Sequence, residues 1–349
     1  MPWDSHFYRC IPGKALNRGE DMLEPIALLH DKNRLKGPHD IAIQGDLAFV
    51  AGKWGAFTIL DVADPERPEI LGVITEGMDD PETVLPAGEI CFLGTNDFCA
   101  IDVRDPTRPK VMKHIVHEKI AAINGMVRWG DTVLAANKRG FVDVFDVSDP
   151  ANPAFVDALN TQECGGLVSP HDLDLWGNRI FVVDQRDKSL LKGRVYLFAE
   201  GDALLPCAEW AVEGAIEGED LNGANRVVID GDYAYVAANK AGRVGVIDIR
   251  NPGALVQVAN VKMKSGTPCG MTLSEKVLYV GTGRLVEALD VSDPIHPVSL
   301  GYCNVFPQEP RDNQNNRPGD AHDLVVKDGY VFVTGQNDSS LGIVKILDS

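Results

Sequence analysis

The chain has 349 residues, of which 44% are hydrophobic and 24% are charged, the composition of an ordinary folded protein. Its formal net charge of -18 argues against nucleic acid and anionic membrane surfaces as general partners, because both attract basic proteins. No apolar run approaches the roughly 18 residues that cross a bilayer, and the first residues lack the basic and apolar regions of a signal peptide. The seven cysteines are scattered and odd in number, which predicts reduced thiols in a cytoplasmic protein.

One pattern of short strands and turns recurs along the chain. Its first copy contains "LAFVAG", "FTILDV" and "EILGVI", three β-rich segments separated by Gly, Asp and Pro. The segment "DVADPERPEI" returns as "DVRDPTRPKV", "DVSDPANPAF", "DIRNPGALVQ" and "DVSDPIHPVS". The Asp is expected to cap the turn, and the Pro is expected to end the strand. A four-stranded repeat of about 40 to 55 residues is typical of a propeller blade.

Aligning the copies on the turn at Gly45 predicts an all-β, seven-bladed β-propeller that occupies the chain as a single domain. The predicted blades are 36–75, 80–119, 120–160, 168–218, 222–264, 266–304 and 320–349. The seventh copy stops after its third strand, "LGIVKILDS". Residues 22–31 are therefore predicted to supply the missing strand and close the ring, with 1–21 as an N-terminal extension.

The strings "FTILDVADPERPEI", "DVFDVSDPANPAFV" and "VGVIDIRNPGAL" resemble LVIVD repeats. The resemblance extends over residues 22–349 and implies a propeller. It implies little about function, because such repeats are mostly uncharacterised.

Seven residues, here called the position-1 residues, stand six residues before the aligned turn in each copy. In a propeller the first strand of every blade lines the central channel, so these side chains are expected to meet at its mouth. Three of the chain's eight histidines fall on this position, far more than chance would place there. The position-1 residues are His39, Glu82, Asn124, His171, Asn225, Cys269 and His322.

Three imidazoles at one opening predict a divalent metal site for Zn, Mn or Fe, with His39, His171 and His322 as ligands. Cys269 or Glu82 is a candidate fourth ligand. Each of the three histidines is followed by Asp, which would orient the ring. Two alternatives stay open: the His-Asp pairs are structural staples between blades, or the histidines are catalytic without a metal.

Cationic residues recur in the turns that follow the second strands, and these turns are expected to overhang the same mouth. Clustered cations predict a small anionic ligand, whereas the alternative is that Lys and Arg are simply solvated in these turns. The candidate catalytic residues are Glu82, Lys53, Lys138, Arg226 and Lys240. The candidate substrate-binding residues are Asn124, Arg186, Asn225, Arg284 and Gln336.

Together these features predict a metal-dependent lyase, dehydratase, isomerase or hydrolase acting on a sugar acid or keto acid. The layout is similar to that of some seven-bladed polysaccharide lyases and dehydratases, which hold a divalent metal with channel-mouth histidines. None of the catalytic motifs of those enzymes is recognisable in the chain. The alternative function is a non-catalytic propeller that serves as a scaffold for protein or ligand binding.

Overall fold

The structure is a computed structural model that describes residues 6–9, 22–160, 166–185, 193–199, 211–306 and 320–347. These residues form antiparallel strands and two short 3-10 helices, Glu219–Leu221 and Pro252–Ala254. The strands pair into six four-stranded sheets and one five-stranded sheet. No helix in the described ranges has the length and apolar character that a membrane crossing requires.

The strands are numbered in chain order. The first fourteen are β1 (His6–Arg9), β2 (Leu23–His30), β3 (Pro38–Gln44), β4 (Leu47–Gly52), β5 (Ala56–Asp61), β6 (Glu69–Ile74), β7 (Thr83–Ala87), β8 (Ile90–Gly94), β9 (Phe98–Asp102), β10 (Lys110–Ile115), β11 (Ile123–Trp129), β12 (Thr132–Asn137), β13 (Phe141–Asp146) and β14 (Ala154–Asn160). The other fifteen are β15 (Pro170–Trp176), β16 (Arg179–Asp184), β17 (Gly193–Ala199), β18 (Ala211–Gly218), β19 (Ala224–Asp230), β20 (Tyr233–Ala238), β21 (Arg243–Asp248), β22 (Val256–Lys262), β23 (Pro268–Ser274), β24 (Val277–Thr282), β25 (Leu285–Asp290), β26 (Val298–Asn304), β27 (Ala321–Lys327), β28 (Tyr330–Gly335) and β29 (Ser340–Ile346).

The chain divides into two compact units. The first unit comprises Met1–Gly88, Val103–Lys110 and Cys269–Ser349, and the second comprises Glu89–Asp102 and Val111–Pro268. Complete sheets of the first unit have the strand orders β1-β2-β29-β28-β27, β3-β4-β5-β6 and β23-β24-β25-β26. Complete sheets of the second unit are β11-β12-β13-β14, β15-β16-β17-β18 and β19-β20-β21-β22. In the six four-stranded sheets, strands that are consecutive in the chain are neighbours.

The recurring Asp-Pro segments form the predicted capped turns. The Asp61 carboxylate accepts a hydrogen bond of 2.9 Å from the Ala63 amide, where β5 ends. Asp146, Asp248 and Asp290 accept the corresponding bonds at 2.9, 3.0 and 2.8 Å. In these four sheets the third strand therefore ends at an aspartate that caps its own turn.

The core lies between sheets that pack face to face. The third residue of the second strand is aromatic in six sheets and is buried in all six: Phe49, Phe92, Phe181, Tyr235, Tyr279 and Phe332. In the first unit, side chains of β24 to β26 pack on those of β2 and of β27 to β29. In the second unit, the sheet that begins with β15 packs on both its neighbours.

The segment predicted to supply the strand missing from the last copy pairs with that copy. Strand β2 is antiparallel to β29, with Leu23 opposite Ile346 and His30 opposite Ser340. The His30 Nδ1 donates a hydrogen bond of 2.6 Å to the carbonyl oxygen of Asp338. Strand β1, in the predicted extension, adds a fifth strand to this sheet by pairing with β2.

Candidate functional site

Position-1 residues lie where the first strands depart from regular pairing. Pro38 pairs with Gly52 and Asp40 with Ala51, so His39 between them has no partner across the ladder. Similar irregularities occur at Asn124, His171, Asn225 and His322. A bulge bends its strand and redirects a side chain, and bulges are frequent beside functional sites.

The two units carry different sets of position-1 residues. The first unit contains Cys269, His322, His39 and Glu82, and the second contains Asn124, His171 and Asn225. Among the described residues, no group of three or more His, Cys, Asp or Glu side chains is arranged to hold a metal ion. The predicted ligands are thus split, since His171 belongs to the second unit and the other three belong to the first.

Each position-1 histidine bonds to the main chain of the neighbouring sheet. The Nδ1 atoms of His39, His171 and His322 lie 2.7, 3.0 and 2.9 Å from the carbonyl oxygens of Glu82, Asn225 and His39, in that order. A carbonyl oxygen only accepts, so Nδ1 carries the proton in all three rings. Nε2 is consequently the nitrogen that carries the lone pair in a neutral ring.

The aspartate after each histidine makes a second bond to the same neighbouring strand. Its Oδ2 accepts from the main-chain amide two residues beyond the next position-1 residue. The bonds run from Val84 to Asp40 at 2.8 Å, from Val227 to Asp172 at 3.0 Å and from Ile41 to Asp323 at 3.3 Å. The His-Asp pair, here called the clamp, therefore links two sheets through one carbonyl and one amide, as the structural alternative predicts.

Glu82 forms the centre of an ionic cluster in the first unit. The residue is fully buried, and its Oε1 pairs with the Lys53 Nζ. Its Oε2 lies 2.9 Å from the His39 Nε2. The rings of His39 and His322 stand 4.0 Å apart between centroids, at an angle of 41°. A carboxylate, an ammonium group and two imidazoles are thus brought together, as the sequence register predicted for three of them.

Most of the predicted cations whose contacts are described already have protein partners. Lys53 also lies 3.6 Å from the Asp80 carboxylate. Arg226 is nearly buried, with its Nη1 3.7 Å from the Asp172 Oδ1, and Arg284 donates to the carbonyl oxygen of Phe306 at 3.2 Å. Each of these three cations therefore lies near an oxygen atom of the protein itself, and their catalytic or substrate-binding roles stay predictions.

The other predicted turn residues contribute less to the described geometry. Lys138 and Gln336 are half-buried and Lys240 is exposed. Arg186 lies outside the described residues.

Sequence reasoning missed two acidic residues beside the predicted site. Asp80 pairs with Lys53, and Asp320 accepts a 2.7 Å bond from the Asn337 amide. Burial raises the pKa of Asp320 to about 6, against the opposing charge of His39. The only signal in the sequence is the nearness of these residues to position 1, as in "GDAHD".

In the second unit, position 1 is built mainly from amides. Gln185 donates from Nε2 to the Asn225 Oδ1 at 2.7 Å. The Asn124 side chain is fully buried, and neither its nitrogen nor its oxygen has a hydrogen-bond partner within the described part of the chain. Burial raises the pKa of Asp172 to about 6, although the Arg226 guanidinium acts against the shift.

Comparison with known proteins identifies LVIVD repeats at residues 38–75, 134–161, 223–262 and 318–348, which confirms the resemblance predicted from the sequence. The computationally designed protein Ika8 is similar in structure, with a TM-score of 0.58, 11% identity and coverage of 90% of this chain and 97% of Ika8. Chaetomium thermophilum Raptor matches 90% of this chain with a TM-score of 0.68 and 12% identity, over 28% of its own length. No curated protein matches the chain. These similarities concern the fold alone, which is an all-β propeller.

Proposed function

Starting from an LVIVD-repeat chain with a propeller fold, we propose that this protein is a metal-dependent enzyme acting on a small anionic molecule at the position-1 residues of its first unit. The observation that carries the proposal is the fixed orientation of the histidines. Metal-binding histidines almost always donate their second ring nitrogen to a carbonyl or carboxylate. His39 and His322 both do so through Nδ1, which leaves Nε2 as the metal-binding atom.

The smallest ligand set would be His39 Nε2, His322 Nε2 and one oxygen of Glu82, which must turn toward a common point to hold an ion because the structure does not show them so arranged. The 2.9 Å between His39 Nε2 and Glu82 Oε2 is close to the separation of two atoms on one ion. With metal-ligand bonds of about 2.1 Å, two ligands lie about 3.0 to 3.4 Å apart. Two imidazoles and one carboxylate suit Zn, Mn or Fe. Cys269 and His171 remain predicted additional ligands.

A bound divalent metal would polarise a carboxylate or carbonyl oxygen of the substrate. It would also supply the positive charge that Lys53 and Arg226, both ion-paired, do not offer to an anion. The Lys53 amine, which pairs with Glu82, would be placed to hold or move a proton of the substrate. Elimination, isomerisation and hydrolysis of sugar acids or keto acids all include such a proton transfer.

We also propose that the seven sheets are the seven blades of one ring, closed by β2. The pairing of β2 with β29 supports closure, since it joins the two ends of the chain in one sheet. The clamp supports the ring, because the same pair of bonds recurs between neighbouring sheets in both units.

A second candidate function is a non-catalytic binding platform. It is favoured by the clamp itself, in which His and Asp side chains are fully explained by bonds between sheets. This function needs no metal at position 1.

Two substitutions at His322 separate the candidates. H322N places an amide nitrogen where Nδ1 stands, with the Asp323 half of the clamp intact, and removes the Nε2 ligand. Asn already stands at position 1 in two sheets, so it fits there. In H322Q the amide nitrogen takes the place of Nε2 instead, and the clamp bond is lost.

The measurement is metal content after a chelator wash and reloading with Zn, Mn or Fe(II), together with unfolding in urea. The enzyme proposal expects near-stoichiometric metal in the wild type and a large loss in H322N, with the stability of the metal-free protein retained. The binding-platform proposal predicts no bound metal in the wild type or in H322N, and a lower stability in H322Q only. A wild type that retains none of the three metals contradicts the enzyme proposal.

A further inference from the structure

The contact between β11 and β15 in the second unit lacks the clamp. Its position-1 residue is Asn124 rather than His, and the next residue is Gly125 rather than Asp. The neighbouring contact, between β15 and β19, has both clamp bonds, at His171 and Asp172. The β11–β15 contact is therefore held by packing. The β15–β19 contact is held by packing and, in addition, by the two clamp bonds.

Gly125 allows the two strands to approach closely. A Cβ at this residue would lie 2.5 Å from Asp172 Oδ1 and 3.0 Å from its Cα. The approach brings the His171 carbonyl oxygen within 3.2 Å of the same point. The Asn124 amide nitrogen is separated from the main chain by the same number of covalent bonds as a histidine Nδ1. It nevertheless makes no hydrogen bond to the His171 carbonyl oxygen.

The Asn124 carboxamide is thus a fully buried donor and acceptor with no partner among the described residues. A buried polar atom without a hydrogen bond costs about 1 to 3 kcal/mol, so a side chain retained there at this cost is a candidate for binding a ligand. The adjoining position-1 residues are His171 and Asn225, and Gln185 extends the row of amides. Arg226 follows Asn225 in the chain, and its Nη1 lies 3.7 Å from the Asp172 carboxylate.

We propose that this row, Asn124, His171 and Asn225, binds a neutral small molecule that carries hydroxyl groups and that enters when the β11–β15 contact, which lacks the clamp, opens around the buried Asn124 side chain. A hydroxyl both donates and accepts, so it satisfies the nitrogen and the oxygen of Asn124 together. A carboxylate only accepts, which would leave the amide oxygen unpaired beside a second negative oxygen. An ammonium group only donates and would leave the amide nitrogen unpaired.

The site shares only His171 with the predicted metal ligands, so its test is run in the presence of a chelator. The probes are D-mannitol and D-glucose as neutral polyols, with propionate and methylammonium, which carry no hydroxyl group, as the anionic and cationic comparisons. Binding is measured by isothermal titration calorimetry and by ligand-detected NMR. The wild type is expected to bind a neutral polyol saturably and to bind propionate and methylammonium at least tenfold more weakly.

Two variants and one control locate the binding to Asn124. N124L retains the branching and the number of side-chain heavy atoms without polar atoms, and N124D retains the shape without the donor. Both are expected to weaken polyol binding at least tenfold, and N124L is expected to be more stable than the unliganded wild type. The control is N178L, because Asn178 is exposed in the turn after β15; it should leave binding unchanged. The proposal is overturned if no neutral polyol binds, if propionate or methylammonium binds as tightly as the polyols, or if N124L and N124D bind like the wild type.

Discussion

Asp143 gives the sharpest test of how burial sets stability in this fold. It lies in β13 and is fully buried, and its Oδ2 accepts a 2.9 Å hydrogen bond from the Asn137 Nδ2. Its Oδ1 has no hydrogen-bond partner among the residues that the structure describes. Burial raises the pKa of the carboxyl from 3.8 to about 7, although the bond from Asn137 and the charge of Lys119 act against the shift.

The size of the effect follows from the two pKa values. Between pH 3.8 and about 7, the unfolded chain has lost this proton and the folded chain retains it. The free energy of unfolding therefore falls by about 1.4 kcal/mol per pH unit over this interval. The total loss is about 4 kcal/mol and stays constant at higher pH, because both states are then ionised.

The substitution D143N removes the ionisable group at nearly constant volume. Urea unfolding of both proteins at pH 4.5 and at pH 8 gives the difference in free energy at each pH. From pH 4.5 to pH 8, the free energy of unfolding of D143N should rise relative to that of the wild type by about 3 to 4 kcal/mol. Any fixed cost of the new amide cancels, because it is present at both pH values.

Asp146 in the same strand is the matched control. It is exposed, and a hydrogen bond from the Ser148 amide lowers its pKa. Its ionised form is therefore favoured in the folded chain, so D146N should lose stability relative to the wild type as the pH rises through 3.8. If D143N does not gain on the wild type between pH 4.5 and 8, burial does not hold Asp143 neutral and the reasoning fails.

Two further substitutions test packing. Tyr235 is fully buried and its hydroxyl has no partner among the described residues, so Y235F should raise the free energy of unfolding by about 1 kcal/mol; a decrease in urea unfolding would show that the hydroxyl is bonded. G125A places a Cβ 2.5 Å from the Asp172 carboxylate and should cost about 1 to 3 kcal/mol. Its control is G218A, where the nearest atoms are 4.0 Å away; equal losses in both variants would contradict a steric cause.

Local signals in the sequence were enough to predict most strands. The Asp-Pro segments identify the strand ends, because an aspartate such as Asp61 caps its own turn through a residue two positions away. Strand β1 was not predicted, since four residues contain too little alternation to show a strand and its partner, β2, lies beyond a long connection. The copy containing β7 departs from the pattern because Pro86 lies within the strand.

The site was predictable in register but not in its contacts. Alignment of the copies identified the residues that share position 1, because that position has a fixed distance from a recognisable turn. It could not show that each histidine bonds to a main-chain carbonyl, since the acceptors stand 43, 54 and 283 residues away. Nor could it show that Lys53 pairs with Glu82, because the pairing depends on how two connections fold toward each other.

The clamp has a consequence for how the chain tolerates variation. Its donors and acceptors on the receiving strand are main-chain atoms, which every residue type except proline provides. The clamp therefore places no requirement on the receiving side chain, and histidine, glutamate and asparagine all occupy that position. A duplicated repeat that contains the His-Asp pair would form the clamp with any neighbouring strand whose main chain supplies the carbonyl and the amide. The polar side chains at the receiving positions can therefore change without loss of the clamp bonds that join the sheets.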